Sequence, residues 1–384
     1  MNILSLSSCA LDPMLGSGKT RLRWSQGLRA LGHTVELLEP RDYESFYGMK
    51  RGRRFRQAWG ACSAVKGKLP TTNYDLIDFC GGEFGLITWL LSRKAHRPLL
   101  VAHTDGLELL SSERKHAYSP ATTPIEHVRR VFAAQTHDRL SRAAFAHADA
   151  FVTLCELDRD YVVQHGLFEQ GHTEVISPGL DVEYLARPFR PDRDKEHCVA
   201  YTGSWSPRKG VARLVEVMSR VLTRDQSLRF DVYGAKREAV LGSFSQALHS
   251  RIVVHGRLSN EELADGMSKA RVFFFPTQYE GFGMALAEAM ACSCAAVTTP
   301  TGFGAELSDG NEVLICGFED PAAMEHAVVT LLDNEALRSD IALKGWKRVR
   351  TLNWETNVKR LESVYLRWLA RPRRDPADVL SAAQ

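Results

Sequence analysis

Short apolar runs alternate with amphipathic stretches along nearly the whole chain. In the first half, Asn2 to Leu6, Thr34 to Leu38, Leu76 to Phe79, Leu99 to Ala102, Ala150 to Leu154 and Glu174 to Ile176 have the length and apolar content of strands. Helical periods lie between most of them, as in TRLRWSQGLRALG and the long stretch from about Ile125 to Ala148. The second half repeats the rhythm with strands at Val199 to Thr202, Arg229 to Tyr233, Ile252 to Val254, Val272 to Phe275, Ala295 to Thr298 and Val313 to Cys316. Helical segments such as VARLVEVMSRVL and NEELADGMSKA separate these. Repeated strand–helix–strand units predict an α/β protein with parallel sheets covered by helices on both faces. The segment DVEYLARPFRPDRDKEHC, about 181–198, interrupts the pattern with prolines, many charges and no clean period. It reads as a linker between two doubly wound, Rossmann-like domains, 1–182 and 183–355, followed by a final helix and a frayed tail over 356–384.

Composition narrows the class. The 384 residues are 44% hydrophobic and 25% charged, ordinary for a globular protein with two cores. A net charge of +3 is too small to argue for nucleic acid as the main partner. The opening MNILSLSS lacks the basic flank and long apolar stretch of a signal peptide. FGLITWLLS, closed by Arg93 and Lys94, falls short of the ~18 apolar residues that span a bilayer. The eight cysteines are scattered, and Cys292/Cys294 has no partner motif elsewhere. Neither a zinc site nor a disulfide framework is indicated, and reduced cysteines in a cytoplasmic protein are expected.

The densest chemistry lies in FFFPTQYEGFGMALAEAMACSCAAVTT. A buried strand ends at Pro276, passes Gly281 and Gly283, and becomes an Ala/Met/Leu-rich helix to about Ala291. The start of such a helix points unpaired N–H groups beyond the strand end, which suits a phosphate. Glu288 lies about 7.5 Å along that helix and leans back toward its start. One segment, which also carries Glu280, could thus hold a pyrophosphate on its amides and a sugar diol on a carboxylate. A second strand-to-helix turn, YTGSWSPRKGVARLVEV, carries Arg208 and Lys209. If its strand neighbours the first, both cations reach the same crevice outside the strand ends. In the first half, CALDPMLGSGKTRLRW offers Gly16 and Gly18 for close backbone approach to an anion, or simply for a tight turn. GSGKT invites a nucleoside-triphosphatase loop, but Pro13 stands where that motif needs a glycine and lacks the N–H a phosphate would use.

These pieces resemble, in order, the nucleotide-sugar-binding domain of family 4 retaining glycosyltransferases of the GT-B fold. The likeness runs through GSWSPRKG, DVYGAKRE and IVVHGRLSNEELADGMSKARVFFFPTQYEGFGMALAEAMACSCAAVTTPTGFGAELSDGNEVLI. The first half matches more loosely, through GSG after the first strand, ADAFVTLCELDRDYV and ISPGLDVEYL. The resemblance implies that Glu288 binds the ribose hydroxyls and that Glu280 lies near the donor sugar. It implies a diphosphate cradle from the amides of Phe282, Gly283 and Met284 and from Lys209. Arg257 falls where the nucleobase edge is read, and Gly16 and Gly18 match the loop facing the phosphates from the other domain. It further implies a retaining, metal-independent transfer from a nucleotide-sugar, UDP-sugar by default, to a glycan, lipid-linked or small metabolite acceptor. Two positions depart from the family: Ser204 stands where an arginine is common, with Arg208 as a candidate replacement. VAHTDGLELL places His103 and Asp105 where a histidine followed by glycine is usual, so either is a candidate to face the donor sugar. A non-catalytic sugar-nucleotide binder of the same fold is the alternative.

The charge run KRGRRFR, Lys50 to Arg56, has Phe46, Tyr47 and Phe55 nearby. It reads either as a solvated helix face or as a peripheral contact with anionic lipid or an acidic acceptor. WETNVKRLESVYLRWLARPRR is amphipathic, and the resemblance implies that this last helix crosses back to the first domain.

Overall fold

The computed structural model describes residues 1–13, 16–49, 51–118 and 123–374. The chain divides into two compact units, one of Met1–Pro178 together with the chain from Trp354, the other of Gly179–Asn353. The first holds strands β1 (Asn2–Ser7), β2 (Thr34–Leu38), β3 (Leu76–Cys80), β4 (Leu99–His103), β5 (Ala150–Thr153) and β6 (Thr173–Val175), in spatial order β2-β1-β3-β4-β5-β6. The second holds β7 (Glu196–Thr202), β8 (Arg229–Tyr233), β9 (Ile252–Gly256), β10 (Ala270–Phe275), β11 (Ala295–Thr298) and β12 (Leu314–Ile315), in order β12-β11-β10-β7-β8-β9. Every pairing between these strands is parallel. Two doubly wound parallel sheets of this kind are what the alternating pattern anticipates, and they fit the GT-B fold that the resemblance implies.

Hydrophobic spacing explains how the helices lie on the sheets. In Val211–Arg224 the buried residues are Leu214, Val217, Met218, Val221 and Leu222, an i, i+3, i+4, i+7, i+8 stripe. The last helix, Trp354–Leu369, buries Val358, Leu361, Val364, Tyr365 and Trp368 and belongs to the first unit. Its Val358 packs so closely on Gly27 of helix Gly16–Ala30 that a Cβ there would lie 2.7 Å from a Val358 methyl carbon.

The charged segment at 181–198 differs from the linker its composition suggests. It is packed into the second unit, where Asp192 takes a bidentate ion pair from Arg338 at 2.7 and 2.6 Å, both side chains buried. Lys195 is also buried and donates to the carbonyls of Ala270 and Ser293. Asp192 and Lys195 are thus spent on internal partners, which composition alone does not reveal. The contacts divide the chain at Pro178/Gly179 and Asn353/Trp354, a few residues before the boundaries expected after 182 and 355.

Candidate active site

In the second sheet the chain starts at β7, runs outward through β8 and β9, and returns to β10 on the other side of β7. Ligands of open α/β sheets collect at such a reversal, outside the carboxyl ends of the two strands. The loops after β7 and β10 meet there. Gly210 has φ +71°, and a Cβ on it would lie 1.6 Å from the carbonyl oxygen of Pro276. Only glycine permits that approach. Two hydrogen bonds hold the loops together: the Gln278 amide donates to the Arg208 carbonyl at 2.9 Å, and the Arg208 guanidinium to the Tyr279 carbonyl at 3.0 Å.

This lock brings the sequence candidates into contact. Lys209 Nζ lies 2.8 Å from Glu280 Oε1, and Thr277 Oγ1 donates to the same oxygen at 2.8 Å. Arg208 Nη1 is 3.7 Å away. The side chain of Glu280 is 8% exposed and that of Lys209 14%, so the pair is largely shielded from water. The Glu280 amide donates to Thr301 Oγ1 at 2.9 Å, and the ammonium of Lys209 sits 5.1 Å above the Phe275 ring. Three residues after Glu280 the chain turns left-handed at Gly283, φ 94° and ψ 51°, and helix Met284–Ala291 begins with no side chain capping it. The amides of Leu286 and Ala287 bond the Gly283 carbonyl at 2.9 and 3.4 Å, whereas those of Met284 and Ala285 precede the first acceptor of the helix. Phe282 is buried, stacks on Phe303 at 5.1 Å, and accepts a bond from the Phe303 amide at 2.6 Å.

Glu288 is buried in the second turn of that helix. Beside it lies Tyr184, whose phenol is pushed above its ordinary value by burial and then by the Glu288 carboxylate. Sequence reading passed over Tyr184 because it sits in the segment taken as linker. Its neighbourhood in ISPGLDVEYL was the available signal. Ser204 is exposed, with its hydroxyl 3.2 Å from that of Ser206. Arg257 follows the edge strand β9 and is exposed, two strand spacings (about 10 Å) from β7.

The remaining candidates belong to the first unit. Gly16 opens helix Gly16–Ala30, and a Cβ on Gly18 would lie 2.6 to 2.8 Å from backbone atoms of Asp12 and Ala10. That glycine therefore lets the loop after β1 fold back on the helix start. Lys19 is buried. His103 ends β4 and is buried, with Nε2 2.7 Å from the Tyr365 hydroxyl. The Tyr365 hydroxyl donates to Asp78 Oδ2 at 3.0 Å. Asp78 Oδ1 accepts from Ser5 at 2.6 Å and from Arg21 at 3.1 Å. Asp105 accepts from the Cys80 thiol at 3.3 Å. Burial raises the Asp105 carboxyl above its usual range despite Arg21, and burial with Arg21 holds His103 well below its ordinary value, as a neutral imidazole. Arg21, Asp78 and Tyr365 were missed in the sequence. Each looks like an ordinary helix or strand residue, and only packing joins them.

Of the basic run, Lys50 lies outside the described residues. Arg54 faces Glu83 at 3.7 Å, and Arg56 bonds Glu44 at 2.8 Å. Arg51 and Arg53 are exposed, as are Phe46, Tyr47, Met49, Phe55 and Trp59. Among the described residues no helix is long and apolar enough to cross a membrane.

Two doubly wound parallel α/β units, the second with a cation–carboxylate pair at its strand-order reversal, have the architecture of the GT-B class. Two family profiles match the chain, Glycosyltransferase Family 4 over residues 16–184 and Glycosyl transferases group 1 over 196–334. The chain belongs to family 4 of the GT-B glycosyltransferases, enzymes that transfer sugars. It is 29% identical over 168 residues to an uncharacterized glycosyltransferase of Methanocaldococcus jannaschii, a match spanning 43% of this chain and 46% of that one. It is 23% identical over 317 residues to the D-inositol 3-phosphate glycosyltransferase of Corynebacterium glutamicum, covering 76% of this chain and 72% of the relative. Among solved structures, sucrose-phosphate synthase from Thermosynechococcus elongatus superposes with a TM-score of 0.77 at 19% identity, covering 96% of this chain and 100% of that one.

Proposed function

We propose that the protein moves a sugar from a nucleoside-diphosphate sugar, UDP-sugar by default, to an acceptor hydroxyl, with retention at the anomeric carbon and without a metal ion. The observation that carries this reading is the Lys209–Glu280 pair beside the uncapped start of helix Met284–Ala291. Departure of a diphosphate needs its growing charge neutralised. Lys209, Arg208 and the amides of Met284 and Ala285 supply positive charge at one place. Lys209 then exchanges its carboxylate partner for the diphosphate, and Glu280 turns to the sugar hydroxyls. Glu288 holds the ribose, away from the breaking bond. The leaving phosphate takes the acceptor proton on the same face.

The relatives' names support a reading of the acceptor. The Corynebacterium relative is named for D-inositol 3-phosphate, and a Mycobacterium tuberculosis relative for phosphatidyl-myo-inositol. A polyol carrying a phosphate, free or lipid-linked, is the acceptor class this supports. The exposed Phe46, Tyr47, Phe55 and Trp59 beside Arg51 and Arg53 suit peripheral contact with an anionic cytoplasmic leaflet. The test incubates the protein with a panel of nucleotide sugars, with and without inositol phosphates, and measures nucleoside diphosphate release and product anomer. Acceptor-dependent release with retained configuration is expected. Nucleotide binding without turnover across the panel would support a binding protein instead, and an inverted product would overturn the stereochemical reading. Vesicle flotation, comparing the protein with a Phe55→Ser/Trp59→Ser variant, checks the membrane contact, which requires loss of binding at unchanged Tm.

A further inference from the structure

The first unit contains a chain of buried polar groups that no step of the proposed reaction touches directly. It runs from Ser5 and Arg21 through Asp78 to the Tyr365 hydroxyl and ends on His103. The proton count along it has one solution. Asp78 accepts from Ser5 and Arg21 on one oxygen and from Tyr365 on the other. A phenol has a single proton, and Tyr365 spends it on Asp78 Oδ2. Its oxygen can therefore only accept from His103, so Nε2 of the imidazole carries the hydrogen. The ring is neutral, so Nδ1 keeps its lone pair, and this atom is buried with no hydrogen-bond partner among the described residues.

Resting on the glycosyltransferase reading, we propose that Tyr365, on the C-terminal helix, is a positioning residue. Its hydroxyl fixes His103 in the Nε2–H tautomer and anchors the end of β4, and with it the turn through Thr104 to Asp105. Two further contacts fit this role. Trp24 of helix Gly16–Ala30 lies against the ring at a centroid distance of 5.2 Å, and Tyr365 meets it edge-on at 6.1 Å and 84°. The imidazole is thus confined on its flank by Trp24 while its tautomer is set by a residue 262 positions away in the chain. Burial and the neighbouring Asp78 push the Tyr365 phenol well above its ordinary value, so it does not lose the proton that sets the sequence. A phenylalanine at 365 would fill the same space and remove only the relay.

The experiment uses the full chain labelled with 15N-histidine and reads the ring nitrogens by long-range proton–nitrogen correlation, with His103 assigned by the signal lost in His103→Asn. The native protein should show a protonated Nε2 and an unprotonated Nδ1 at this residue. The opposite tautomer in the native protein would overturn the proposal whatever the variants do. Tyr365→Phe should convert His103 to a mixture or to the other tautomer. It should also lower kcat about tenfold or more, with KM for the nucleotide sugar nearly unchanged. Val364→Ala, which loosens the same helix without touching the hydroxyl, should leave the tautomer unchanged; an equal change there would mean that helix packing alone is responsible. An unchanged tautomer in Tyr365→Phe sinks the idea. Because the nitrogen spectra need no turnover, they judge the relay even if no sugar transfer is found, so the two readings fail separately.

Discussion

Lys209 Nζ and Glu280 Oε1 lie 2.8 Å apart although 71 positions separate them in the chain. The contact exists because β7 and β10 are neighbours and because Gly210 lets one loop press on the other. The charges neutralise one another until an anion competes for the lysine. Lys209→Met should therefore cost about 10²-fold or more in kcat, since one preformed stabiliser of the leaving diphosphate is gone. Lys209→Arg should recover part of it, because the charge returns with different geometry. Steady-state release of nucleoside diphosphate checks both, and near-native turnover in Lys209→Met would count against the site.

If Glu288 holds the ribose as proposed, its loss separates ribose recognition from phosphate recognition. Glu288→Gln should weaken a nucleoside diphosphate about tenfold or more, while inorganic pyrophosphate binds as before. Calorimetric titration of the two ligands distinguishes them. Equal weakening of both would place Glu288 in the structure of the helix rather than against the sugar.

Gly210 and Gly256 form a controlled comparison, with φ of +71° and +69°. A Cβ at 210 would lie 1.6 Å from the Pro276 oxygen, whereas nothing lies within 4 Å of one at 256. Gly256→Ala should cost only the left-handed backbone penalty, about 1–2 kcal/mol. Gly210→Ala should cost clearly more and abolish nucleotide binding, because the two loops are forced apart. Chemical denaturation of both variants measures the difference, and similar losses would show that the close approach matters less than the backbone angle.

The Asp192–Arg338 pair gives a pH dependence. Burial alone would raise the Asp192 carboxyl, but the Arg338 guanidinium outweighs it and holds the folded value below the ordinary 3.8. The pair's stabilisation is therefore complete above the unfolded value and fades as pH falls through the lower folded one. Asp192→Asn leaves Arg338 buried without its counter-charge and should cost about 3 kcal/mol at pH 7. The gap in Tm to the native protein should narrow as pH drops below about 3.8. A gap constant from pH 7 to pH 3 would rule out this ion pair as the source.

The alternation of apolar runs determined the fold. Among the described residues, the strands lie where the sequence puts them within a residue or two, apart from β7, which begins three residues earlier, because a strand buried on both faces must be a short continuous apolar run. The local half of the candidate site was equally legible. Pro276, Gly281, Gly283 and the helix carrying Glu288 are contiguous, so their chemistry needs no tertiary knowledge. Tertiary structure alone decided which distant groups share a crevice or a core. It brought Lys209 to Glu280 across the strand reversal, placed Tyr184 beside Glu288, and turned an apparent linker into the seat of a buried ion pair. It also joined Arg21, Asp78 and Tyr365 to His103. Periodicity records which face of an element is buried; it carries no record of which polar group from another element will meet it there.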